Sequence, residues 1–286
     1  MPGTPVFKSP TILAGLNAKT IKGDKREEYA TAIMYLAPAK MAGGANLCAM
    51  AREAGCDPTH DNGGCLVNSG QAQVFSSINR ARIGKTQRYL ANRAEFMAEL
   101  VRDIQRFVKW CAKHGVKPAV RLNGTSDIQW EVAHPVEIPW VSHNLNAAGQ
   151  RVTEYGSDRY ASIMEAFPEV QFYDYTKVYK RVYRQLPSNY QLVLSYSGAN
   201  QRYAEAVTKA AQETGANMAV VYRTKELRDY FVHKLVQYGE TCRDVIDGDQ
   251  TDLRFLDPQG VVVGLYAKGR AAKADTSGFV VGQFIH

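Results

Sequence analysis

Short apolar runs of strand length alternate along this chain with stretches in which apolar residues recur every third or fourth position. Tyr29-Ala30-Thr31-Ala32-Ile33-Met34-Tyr35-Leu36-Ala37 predicts a buried strand, ended by Pro38. Residues 74–90 turn helical and basic. After them Phe96, Leu100, Ile104, Phe107, Val108 and Cys111 mark an amphipathic helix that runs through Lys113 and stops at Gly115, which puts Cys111 in the core. Further strands are predicted at 117–122, 170–175, 190–195, 218–222 and 261–266. Helices are predicted near 160–167, over 203–214 and over about 226–238. The segment 133–156, Pro-rich at its start, reads as a long irregular connection, a lid or substrate loop. Strands alternating with helices predict an α/β protein with a mostly parallel sheet covered by helices. With no linker in view, residues 1–286 are expected to form a single domain with an N-terminal arm of about residues 1–28, rich in Pro, Lys and Gly.

In parallel α/β folds ligands meet the carboxyl ends of the strands, where the loops gather. That rule collects a set of polar residues on one rim: Asn123, Thr125 and Asp127, then Asp174 with Lys177, Ser195 and Ser197, Arg223, and the Asp247/Asp249 pair. Among these, Asp174, Lys177 and Arg223 are expected to be catalytic, on the substrate side. The cluster from Asn123 to Asp127 also reads as plain turn and cap chemistry.

Three of the five cysteines, Cys48, Cys56 and Cys65, follow the first long strand in a segment full of Gly, Asp and Asn, with seven and eight residues between them. Turn formers would let the segment fold its thiols toward one point. Three thiolates suit a soft metal: an iron-sulfur cluster with one open iron, or zinc with His60 as fourth ligand. The same cysteines also read as reduced and inert, or as one disulfide in an oxidising compartment.

A formal charge of +7 permits an anionic partner without requiring one. Two segments would meet nucleic acid: 80–88, with Arg80, Arg82, Lys85 and Arg88, and the tyrosine-rich basic stretch 173–184. The opening Met1-Pro2-Gly3-Thr4-Pro5 lacks a signal-peptide pattern, and no apolar run approaches membrane length. With an odd cysteine count, the expectation is a cytoplasmic protein without a membrane partner.

Several segments carry a resemblance: Leu36-Ala37-Pro38-Ala39-Lys40, Asn46-Leu47-Cys48, 119–128, 170–177, 245–249, 252–258 and Thr276-Ser277-Gly278-Phe279-Val280. Together they are similar to the phage gene product 88 family over nearly the whole chain. This implies a phage, prophage or plasmid origin and names no reaction. More distantly, a strand followed by three cysteines and a parallel sheet resembles the radical S-adenosylmethionine enzymes, although the cysteines here are more widely spaced than in that superfamily. That likeness implies an incomplete (β/α) barrel, a four-iron, four-sulfur cluster on Cys48, Cys56 and Cys65, and S-adenosylmethionine as cofactor. Asn123, Thr125 and Asp127 would then face its methionine amino group, with Ser195 and Ser197 near its ribose or carboxylate. The leading expectation is thus a radical S-adenosylmethionine-like iron-sulfur enzyme on an unknown, nucleic-acid-related substrate. The alternative is a nucleic-acid-binding replication or maintenance protein with a structural metal loop, and a third reading is a zinc-stabilised hydrolase.

Overall fold

The computed structural model describes residues 7–8, 11–15, 28–58, 65 and 76–282. His60 and most of the N-terminal arm lie outside them. In chain order the elements are β1 (Leu13–Ala14), β2 (Tyr29–Met34), α1 (Ser76–Ala91), α2 (Arg93–His114), β3 (Lys117–Arg121), β4 (Val136–Leu145) and β5 (Arg151–Tyr160). There follow α3 (Ile163–Ala166), β6 (Gln171–Thr176), β7 (Tyr190–Ser195), α4 (Gln201–Thr214) and β8 (Met218–Tyr222). Last come α5 (Lys225–Phe231), β9 (Leu235–Tyr238), β10 (Thr241–Asp247), β11 (Val262–Tyr266) and α6 (Arg270–Lys273).

The helix ends follow local chemistry. The Asn92 side chain accepts the Glu95 amide at the start of α2, and Asn200 does the same for Tyr203 at the start of α4. Both helices close on a glycine in the left-handed region, Gly115 at φ 67° and Gly215 at φ 70°. Along α2 the stripe of Phe96, Leu100, Ile104, Phe107 and Cys111 is buried, as its spacing predicts.

Among the described residues nine strands form one mixed sheet in the order β1-β2-β3-β6-β7-β8-β11-β10-β9. From β2 to β10 the neighbours run parallel, while β1 and β9 add antiparallel edges. The expected incomplete (β/α) barrel is, among the described residues, an open mixed sheet with β1 and β9 at opposite ends and no closure. One face is covered by helices and packs two large apolar clusters, centred on Phe96, Leu100, Phe107 and Phe172 and on Tyr203, Val207, Val220 and Val262. On the other face the β10–β11 connection lays Leu253 and Phe255 against Ala119, Tyr173 and Tyr29, filling the amino-terminal half. The carboxyl-terminal half of that face stays open.

Two expectations need correction. The supposed irregular connection at 133–156 is mostly the hairpin β4–β5, paired from Val136↔Tyr160 to Leu145↔Arg151. Apart from Val136 and Ile138 most of its side chains are exposed on both faces, so apolar alternation does not persist along the hairpin to announce two strands. The helix expected to run to residue 238 ends at Phe231; His233 then takes φ 64° and the chain turns into β9. Leu235–Tyr238 pairs with β10, and that pairing outweighs a helix-like spacing of apolar residues.

Candidate functional site

A cavity of about 400 Å³ opens at the carboxyl ends of the parallel strands. Its wall includes Cys48, Cys56 and Cys65, the loop Asn123–Asp127, Tyr175 near the end of β6 with Lys177 just beyond it, and Ser195 at the end of β7. Gly248, Asp249, Thr251, Asp252, Tyr266 and Lys268 come from around β10 and β11, and Phe279 and Val280 from the C-terminal segment.

Strand β7 pairs with β8 only at Leu194↔Met218 and Ser195↔Ala219. Beyond that the chain around Gly278–Val281 is laid between them, with Gly278 O accepting Gly198 N–H and Val281 bonded to Val221 and Arg223. The first two cysteines are held by the backbone around them. Ala39, at φ 48°, donates its N–H to Cys48 Sγ at 3.3 Å, and Leu47 O accepts the amide of Asp127. Ser197 Oγ donates to Ala54 O at 2.8 Å. Gly55 sits at φ 63°, where a Cβ would lie 2.5 Å from Ala199 Cβ and 3.0 Å from Ser277 Oγ, so only glycine fits this seam.

Asn123 is the hub of the loop after β3. Its Oδ1 accepts Ser126 Oγ, Ile128 N and Trp130 Nε1, and its Nδ2 donates to Ile128 O and Asp174 Oδ2. Thr125 Oγ1 donates to Leu36 O at 2.6 Å. Asp127 accepts Thr176 Oγ1, Lys177 N and Arg181 Nη1. All three residues border the cavity, yet their polar atoms are spent on holding the loop.

Alternation along β6 separates the next group. Phe172, Asp174 and Thr176 point to the helix-covered face, while Tyr173, Tyr175 and Lys177 point the other way. Asp174 is fully buried away from the cavity, accepting from Asn123 N, Asn123 Nδ2 and Tyr190 O–H. Burial raises its pKa to about 7, against the pull of Arg121 and the Asn123 amide. Ser197 and Arg223 do not line the cavity either. Arg223 instead clamps Lys273 O and Val280 O.

Burial pushes the Cys48 thiol up to about 12 and raises Cys56, with Lys177 pulling both back. Burial would lower Lys177, but Cys56, Asp127, Cys48 and Cys65 together raise it. The three thiols thus share one cavity with one lysine. They do not converge on a point as expected: among the described residues no three Cys, His, Asp or Glu side chains are grouped to hold a metal ion. The Asp247/Asp249 pair is held by Arg228, and Asp249 also by Lys268.

Alternation also singles out residues not expected from the sequence. Arg121, the last residue of β3, lines the cavity with its guanidinium 4.6 Å from the Tyr175 ring centroid, and Nη1 reaches Asp252 at 3.3 Å. A charged residue closing the apolar run Pro118-Ala119-Val120 was the available signal. Lys268 and Tyr266 follow from the same carboxyl-end rule applied to the last strand.

Much of the basic surface expected to meet nucleic acid has internal partners. Arg82 lies over the Tyr35 ring, Lys85 donates to Ile12 O, and Arg88 pairs with Glu99. In 173–184, Tyr173 and Arg181 are buried, and Arg181 binds Asp127, Glu131 and Tyr190. Among the described residues no helix is long and apolar enough to cross a membrane.

No curated protein and no solved structure matches this chain, and the comparisons give no support to a relation with radical S-adenosylmethionine enzymes. A family match does exist, and it spans every element of the sheet: over residues 11–283 the chain belongs to the gene product 88 family.

Proposed function

We propose that this cavity is the working site of an enzyme and that Cys48, Cys56 and Cys65 take up an iron-sulfur cluster there, with S-adenosylmethionine as co-substrate. The observation that carries this reading is that the three cysteines, spread over the segment after β2, all line the same cavity at the strands' carboxyl ends. Its volume suits a small organic molecule. The donor set fits a soft metal, since the site's carboxylates are engaged by Arg181, Arg228 and Arg121 and leave thiols as the ligands on offer. The three thiols line the cavity without being grouped on one point, and loading requires that they be drawn together.

When bound, a cluster supplies one-electron reduction. The chain's own residues do the rest. Lys177 offsets the negative charge of the thiolates. Val221, Leu265, Ala267, Phe279 and Val280 form the apolar wall that limits water. Asn123, Thr125 and Asp127 fix the rim as a rigid loop.

The test is the iron, sulfide and zinc content of protein purified without oxygen, repeated for Cys48→Ala, Cys56→Ala and Cys65→Ala. Iron and sulfide in matching amounts, lost in each variant, are expected. Stoichiometric zinc, or no metal in the wild type, would remove the cluster.

A further inference from the structure

Among the described residues Arg121 is an under-satisfied charge in the cavity wall. It is 2% exposed, yet among the described residues its fork of five N–H donors makes a single hydrogen bond, and its buried Nε has no partner. Taking a guanidinium out of water without refilling its hydrogen bonds is costly, and a bidentate oxyanion is the partner whose geometry matches the empty fork. Tyr175 holds the guanidinium in place from one side.

Lys177 reinforces the case. It lies two residues beyond Tyr175 on the same face, with Nζ 5.1 Å from the Phe279 ring centroid. The wall's carboxylates are already committed: Asp127 to Arg181, Asp249 to Arg228 and Lys268, Asp252 to Arg121. Among the described residues Lys177 forms no ion pair.

We infer that the cavity binds the anionic group of a small molecule, a carboxylate or a phosphate, on Arg121 and Lys177 beside the ring of Tyr175. This rests on the cavity being the working site and does not need the cluster. Asp252 competes with the ligand for Arg121 and so sets how tightly the anion is held.

Isothermal titration calorimetry at low salt tests it, with inorganic phosphate and succinate as the two probes. One probe or the other is expected to bind, and which one tells phosphate from carboxylate. Affinity should fall at least tenfold in Arg121→Lys, which keeps the charge and loses the fork, and in Lys177→Met, and rise severalfold in Asp252→Asn. Circular dichroism melts confirm that each variant is folded. If neither probe binds the wild type, or if binding is unchanged in folded Arg121→Lys and Lys177→Met, the inference is overturned. Cys48→Ala separates the two proposals: anion binding that persists in this variant, once it is shown to hold no metal, supports this inference independently of the cluster, whose own test is the metal content of the wild type.

Discussion

The two faces of the central strands treat buried polar groups in opposite ways. On the helix-covered side Asp174 receives three donors, and Arg181 meets Asp127, Glu131 and Tyr190. On the open side Arg121, equally hidden from solvent, is left among the described residues with one hydrogen bond and an orphaned Nε. Completed networks rigidify a fold, whereas a preorganised group left short of partners is a place for something else to bind. Burial and charge alone do not separate architecture from function here; the difference lies in whether the hydrogen bonds are filled from within.

The largest effect should come from breaking the closed side. Arg181→Met strands the carboxylates of Asp127 and Glu131 and is expected to cost about 3–5 kcal/mol in urea unfolding. Lys177→Met, on the open side, should cost less than about 1 kcal/mol. Equal costs would break the distinction.

Asp174 sharpens it through pH. Its folded pKa of about 7 lies above that of an unfolded aspartate, so the native state keeps a proton that the unfolded chain releases. The contribution of Asp174 to stability should therefore be fully present below about pH 4, fall as the pH rises toward 7 with a slope approaching about 1.4 kcal/mol per unit, and level off above. Urea midpoints across that range should show the slope in the wild type and its loss in Asp174→Asn. A slope that survives the substitution would mean that Asp174 is already ionised.

The smallest change touches the seam that seats the cysteines. Gly55→Ala should cost about 1–2 kcal/mol through its left-handed backbone and the contact with Ala199. It should also speed thiol labelling at Cys56, followed by mass spectrometry. Unchanged labelling would mean that the seam does not hold this thiol.

The parallel strands were readable because each is buried on both faces: the apolar runs at 190–195 and 218–222 coincide with β7 and β8. Topology then placed Asn123–Asp127, Lys177, Ser195 and the cysteines at one rim, where they line the cavity. Parity along a strand was not used, and it is what moves Asp174 to the far side and brings Tyr175 and Arg121 in. The hairpin β4–β5 escaped notice because strands wet on both faces leave no period of two, and β9 because its identity depends on β10, its neighbour in space. The proximity of Gly278–Val281 to Ser197 and Gly55 could not be read at all, since it comes from strands parting in three dimensions.

Strand β11 sits between β8 and β10, although it follows both along the chain. During synthesis the β9–β10 hairpin therefore emerges before the strand that joins it to the sheet, and its parallel pairing must wait until residues 262–266 leave the ribosome. Asp249, Thr251 and Asp252 ride on the connection between β10 and β11, so the acidic wall of the cavity can be pinned to the sheet only once that last strand is available.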